Sequence, residues 1–265
     1  SVRVPAHFCG IWGHKTSWGL INKEGHDHPL MAGQLAHDGV LSIAGPLARN
    51  AQDLSLLIEL TAQIPLRRRT RRLADCRILV LTEHPSCPTD EAVLQPMETM
   101  VTELEKSRVR IDRSTDRLPD LAKQNSNYVR MLSIAMARGA PGKDGKRASA
   151  TDWFDLLDIQ ARNARAWDQL FDVYDFVLAP PAPVLAVPNR TGSVFDGTIE
   201  INGSQVRGAD ALAWAGLATF PNLPATVLPI GETEGLPCGL QVLGPLWSDL
   251  DTIAIAEEIG KHLHS

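Results

Sequence analysis

Ser1 opens the stretch SVRVPAHFCG, and a serine hydroxyl becomes a strong nucleophile only where a base can take its proton. At position 1 the residue's own α-amine, with an ordinary pKa of about 7.7–8.0, is one such base. That chemistry belongs to N-terminal nucleophile hydrolases, which stack two antiparallel sheets. A second candidate is the HDH run at 26–28, with His37, Asp38 and Glu24 nearby. Zinc sites hold their ligands on a helix or at paired tight-turn spacings, so this run reads as a polar surface loop and no metal is expected. The sequence has no G-x-S-x-G elbow, no P-loop and no G-x-G-x-x-G after a strand. Asp112 and Asp116 lack an apolar pocket around them and read as solvated. Cys9, Cys76, Cys87 and Cys238 form no C-x-x-C pair and read as free thiols of a reducing compartment. Cys9 in particular is expected to be a small buried residue.

The elements that must position these groups follow from periodicity. Segment 1–50 is rich in glycine and proline and reads as loops and short strands packed against something else. Asn50 is placed as the cap of a helix over 51–63, with Leu54, Leu57, Ile58 and Thr61 on one stripe. Arg49 and Asp53 straddle its start and are expected to pair. CRILVL (76–81) reads as a strand, then a helix capped by Thr89, then a strand at 108–112, a βαβ unit whose strands should be parallel. Helices follow over 118–138 and from Thr151 or Asp152 to about 172, separated by a charged loop at 139–147. The segment 174–188 reads as a buried strand ending in a proline loop, 192–208 as a hairpin or irregular excursion, and 209–219 as a helix. PATVLPIGETEGLPCGLQVLGP (224–245) reads as an antiparallel hairpin, and SDLDTIAIAEEIGKHL closes the chain as a helix. The fold class expected is α/β, one domain over 1–265, with a mixed parallel and antiparallel central sheet flanked by helices.

Composition excludes several functions. With 31 acidic against 26 basic side chains the net charge is -5, which argues against a nucleic-acid binder held by phosphate neutralisation. LRRRTRRL (66–73) has no aromatic neighbours and reads as a solvated linker. No apolar run approaches the roughly 20 residues that span a bilayer, so a cytoplasmic protein without membrane partners is expected.

SVRVPAHFCGIWGHKTSWG resembles the stretch of the amidase signature family that begins at its nucleophilic serine: Arg3, Pro5, Phe8, Cys9, Gly10, Gly13, Lys15 and Thr16 match that pattern. GPLARNAQDLSLL (45–57), YDFVLAPPAPVLAVP (174–188) and the C-terminal hairpin resemble further motifs in the family's order. The resemblance implies hydrolysis of a carboxylic amide to an acid and an amine or ammonia through a serine acyl-enzyme, with Ser1 as nucleophile and no cofactor. It makes Arg3, Cys9, Gly10, Lys15, Arg49 and Asp53 structural support, Arg3 within a hydrogen-bond network that fixes the loop. Trp12, Trp18 and Trp214 are expected in the core. The family's catalytic lysine, bridging serine and oxyanion loop lie upstream of its nucleophile and have no counterpart here. The chain is therefore expected to be an incomplete, C-terminal portion of the amidase signature fold. A missing base forfeits roughly 10²–10⁴-fold in rate and a missing oxyanion donor about 10²–10³-fold, so the isolated chain should be nearly inactive. A complementary chain or a second copy would then cover the apolar face left exposed. The apolar stretches 174–188 and 209–220 favour a hydrophobic acyl or aryl substrate.

Overall fold

A computed structural model describes residues 1–24, 39–66, 68, 72–137, 140–142, 145–189, 191 and 197–264. Its centre is a mixed sheet built from β1 (Trp12–Lys15), β2 (Leu47–Ala48), β3 (Arg77–Val80), β4 (Arg110–Asp112), β5 (Phe176–Ala179), β8 (Ala225–Thr233) and β9 (Leu236–Leu243). These seven strands lie in the order β2-β1-β8-β9-β5-β3-β4. β3 runs parallel to β4 and to β5, and the other neighbours are antiparallel. A separate hairpin pairs β6 (Thr198–Ile201) with β7 (Ser204–Arg207).

Helices cover both faces. On one, α3 (Glu91–Lys106) and α7 (Asp249–Lys261) bury Met97, Met100, Ile255 and Ile259 against Ile78, Leu240 and Val242. On the other, α5 (Ala150–Phe171) and α6 (Leu212–Thr219) bury Trp167, Leu170, Trp214 and Leu217 against Leu79, Val177 and Leu243. The two sets come from alternate strand residues, as the two-residue period of a strand requires. α4 (Leu121–Ala137) packs beside α5 and α6 through Tyr128 and Met131.

The βαβ unit and the terminal hairpin match the sequence reading, as does α2 (Ala51–Thr61), whose first turn Asn50 caps by accepting from the Asp53 N–H at 2.7 Å. Other expectations need correction. Asp90 rather than Thr89 caps α3, accepting from Ala92 N–H at 2.9 Å. Ser149 caps α5, and Asp152 completes its capping box instead of starting the helix. Asp112 does not stand free in solvent; Arg77 pairs with it at 2.6 Å. Segment 1–50 is not only loops and strands, because α1 (Arg3–Cys9) is a helix closed by Gly10 at φ 63. Pro96 lies inside α3 and cannot donate to Ala92 O; the Thr233 hydroxyl satisfies that carbonyl at 3.0 Å.

Gly45 fixes the approach of its loop to β1. A Cβ at this position would collide with the His14 carbonyl oxygen, a backbone atom that β1 pairing holds in place. Gly45→Ala is expected to cost about 1–3 kcal/mol of stability, a fall of roughly 2–4 °C in melting temperature per kcal/mol for a chain of this size. Thermal denaturation followed by circular dichroism measures it; an unchanged midpoint would show that the loop yields freely.

Candidate active site

Ser1 is exposed at the head of α1. Two residues on, Arg3 is 5% exposed and spreads its guanidinium over three neutral acceptors. Nη1 donates to Gln241 Oε1 at 2.8 Å, and Nη2 donates to Ala215 O at 2.7 Å and to Thr219 Oγ1 at 2.8 Å. Gln241 is fully buried on β9 and donates from Nε2 to Pro180 O at 2.7 Å and to Trp214 O at 3.3 Å. These two bonds fix which end of the amide faces Arg3. No carboxylate among the described residues pairs with Arg3. Burial lowers its pKa to about 10, with the Tyr128 hydroxyl opposing the shift, so the guanidinium stays charged at neutral pH. The α-amine of Ser1 is held below its ordinary value, first by burial and then by the charge on Arg3.

One turn along α1, His7 is clamped between two backbone groups. Gly239 N–H donates to His7 Nδ1 at 2.7 Å, so Nε2 carries the proton and donates to Val184 O at 3.0 Å. Burial outweighs these contacts and lowers the pKa of His7 to about 4. His84, just past the C-terminal end of β3, is also buried, and burial lowers it to about 4. Its ring meets Trp214 edge-on at 5.5 Å.

Lys15 is buried on β1 and donates to Thr16 O at 3.0 Å and Leu223 O at 2.7 Å. Burial and then Arg3 push its pKa well down, against the pull of Asp249. Among the described residues Lys15 thus holds two carbonyls and donates to no hydroxyl. Sequence reasoning did not find the knot beside it. Asp249, fully buried at the start of α7, accepts from Ser17 N at 2.8 Å and Ser17 Oγ at 2.6 Å, and sits 3.0 Å from His14 Nε2. Burial would raise the Asp249 pKa, but the His14 and Ser17 contacts leave it below the ordinary value. The residue types are those of a serine triad, but here the carboxylate stands between histidine and serine, so the knot joins β1 to α7 and generates no nucleophile.

Other predicted residues fall differently. Cys9 is exposed rather than buried. Gly10 closes α1 against the Pro237 side chain. Arg49 makes no ion pair with Asp53, whose carboxylate accepts from Asn50 Nδ2 at 2.9 Å. Trp214 is fully buried and Trp12 packs at the core edge, whereas Trp18 is 37% exposed. His26, Asp27, His28, His37 and Asp38 lie outside the described residues. Among the described residues no group of three or more His, Cys, Asp or Glu could hold a metal ion, and no helix is long and apolar enough to cross a membrane. Two surface clefts, of about 610 and 200 Å³, are lined by other residues and do not include Ser1.

Mixed sheet, covering helices and a serine-headed α1 together define an amidase-type α/β fold. The chain belongs to the Amidase family, whose model matches residues 1–156 and 136–253. It is 24% identical over 315 residues to a glutamyl-tRNA(Gln) amidotransferase subunit of Saccharolobus solfataricus, covering 99% of this chain and 62% of the relative. Against the Halobacterium salinarum protein of the same name the identity is 28%, over 98% of this chain and 70% of the relative. Among solved structures, a fatty acid amide hydrolase superposes with a TM-score of 0.79 at 16% identity, covering 100% of this chain and 55% of that one. A bacterial aryl acylamidase of the amidase signature family gives 0.71 at 19% identity, covering 99% and 60%. These similarities establish the amidase signature fold, and the chain spans about three-fifths of the length of such relatives.

The clamp on His7 has a pH signature. Between its ordinary pKa of 6.5 and its folded value of about 4, only the unfolded chain takes up the proton. Stability is therefore fully present above about pH 6.5 and falls as pH drops towards 4, by about 3 kcal/mol for His7. His84 adds loss in the same window. Melting temperatures at about pH 7 and about pH 5 should differ in the wild type and differ less in His7→Gln; equal pH dependence in the two would contradict the clamp.

Proposed function

We propose that this chain carries the nucleophile of an amidase and that Ser1 is that residue. The observation supporting it is the exposed Ser1 just before α1, within the Amidase family match, with Arg3 two residues on fixed to Gln241. In this reading a base takes the Ser1 hydroxyl proton and Oγ bonds to the carbonyl carbon of a linear amide. The C–N bond breaks as the nitrogen receives a proton, and water then hydrolyses the ester to a carboxylic acid and restores the serine. The base and the oxyanion donors come from residues outside these 265, because Lys15 is committed to Thr16 O and Leu223 O. Those residues belong to a complementary segment or chain, and that chain or a second copy covers the apolar face left exposed. The 265 residues work as one domain in this reading, and the bare chain is nearly inactive. The names of the relatives, a tRNA amidotransferase component and a fatty acid amide hydrolase, have the amide in common. We therefore carry over the amide bond, and favour a hydrophobic acyl or aryl group beside it.

A second reading applies where Ser1 is itself the mature N-terminus; burial and then Arg3 would hold its α-amine below the ordinary value, which suits a base. Against it stands the single seven-stranded mixed sheet, since that mechanism is housed between two stacked antiparallel sheets.

A fluorophosphonate probe separates the two. The protein is expressed as the 265 residues and with any segment its reading frame encodes upstream, and the labelled residue is mapped by mass spectrometry. Labelling at Ser1, lost in Ser1→Ala and at least about 100-fold faster when base assistance is supplied, is the expected result. Rapid labelling of the bare chain that disappears on acetylating the α-amine would favour the second reading, and no labelling of Ser1 in either form would overturn both.

A further inference from the structure

A helix at a protein surface buries one apolar stripe and wets its other side. α2 is apolar on both sides. Its inner face buries Ala51, Leu54 and Ile58 against Leu20, Leu250 and Ile253. Its outer face exposes Leu56, Leu57 and Leu60, with Leu56 53% and Leu60 72% exposed. Ile64, just past the end of the helix, is exposed too and lines the cleft of about 610 Å³ together with Ala62, Leu66 and Leu250. Large apolar side chains gathered in solvent along one helix mark an interaction surface, whereas scattered ones do not.

The two ends of this face differ in charge. Asp53 is exposed and precedes Leu56, Leu57 and Leu60 by three, four and seven residues, so it shares their side of the helix. Past the other end the sequence runs LRRRTRRL (66–73), with five arginines. Arg68 reaches back to Glu59 and Arg72 pairs with Asp75, and two carboxylates against five arginines leave this end basic. An acidic end, an apolar middle and a basic end match a second copy turned end for end, and repel one that runs alongside.

We propose that the outer face of α2 is the contact between two copies of this chain, packed antiparallel about a two-fold axis at Leu60. Such a contact is isologous: whatever one copy offers, the other receives. Leu60 meets its own counterpart at the axis. Leu56 of one copy meets Ile64 and the cleft of the other, four residues to either side of Leu60. Asp53 and the start of the arginine run each stand seven residues from Leu60, so the acidic end of one copy faces the basic end of the other. With four large apolar side chains per copy, the interface belongs to the small, readily dissociating class. The proposal does not involve Ser1 and stands or falls without it.

Sedimentation velocity of the 265-residue chain between about 1 and about 100 µM should show monomer giving way to dimer. Leu60→Glu puts two like charges at the axis and should weaken the dimer at least about tenfold, while leaving the melting midpoint in place. Added salt should weaken it as well, by screening the charged ends. The register is read by cysteine cross-linking, with the disulfide peptides mapped by mass spectrometry apart from those of Cys9. Leu60→Cys should cross-link to itself. Leu56→Cys should cross-link to Ile64→Cys in a mixture of the two, and only weakly to itself. A chain still monomeric at about 100 µM, a dimer indifferent to Leu60→Glu, or a strong self-cross-link of Leu56→Cys would overturn the proposal. So would a protein that is monomeric once any segment its reading frame encodes upstream is included, because that segment would then be what covers the stripe.

Discussion

A helix turn and a pair of strand residues have nearly the same length: four residues of helix advance about 6 Å, and two residues of strand about 6.6 Å. α1 uses that match. Arg3 and His7, one turn apart, meet Gln241 and Gly239, which share a face of β9. Both ends of the contact are hydrogen-bonded and buried, so the helix cannot slide along the strand without orphaning a guanidinium or an imidazole. The match also explains Gly239: a Cβ there would press on Val227, Leu228 O and the His7 backbone. Ser1 stands two residues before a helix pinned at two points on the sheet.

The same contact ties together elements distant in sequence. Gln241 links α1 to the loop after β5 and to α6, and His7 reaches Val184 beyond that loop. On the far side of β1, the knot of His14, Ser17 and Asp249 binds the strand to α7. Both knots are polar, hydrogen-bonded and buried. Such networks specify one arrangement strongly, because each member left unpaired would carry the full cost of its desolvation.

What is legible in the sequence is local. The β8–β9 hairpin, the βαβ unit and the Asn50 cap declare themselves within a few residues through strand-length apolar runs, a turn and a capping side chain. α1 is illegible because it is only seven residues long, holds Pro5 and is tied to β9, more than 230 residues away, through Arg3 and His7. Asp249 lies 232 residues from Ser17, so no spacing rule could join them. The Arg49–Asp53 pairing fails for a simpler reason: Asn50, already the cap, lies nearer to the carboxylate. Residue type alone puts Cys9 inside, but its position near the end of α1 turns it to solvent.

Function follows from the same geometry only as far as one atom. Family membership supplies the fold, and the register of α1 on β9 leaves Ser1 exposed two residues before the helix. Trapping a covalent intermediate tests directly whether that hydroxyl is the nucleophile. The protein would be mixed with an activated acyl ester, quenched in acid and digested, and the acylated peptide identified. A hydroxylamine-labile acyl group on Ser1 is the predicted result. An acyl group found instead on Cys9 or a lysine, or turnover of the ester with Ser1 unmodified at every time point, would contradict it.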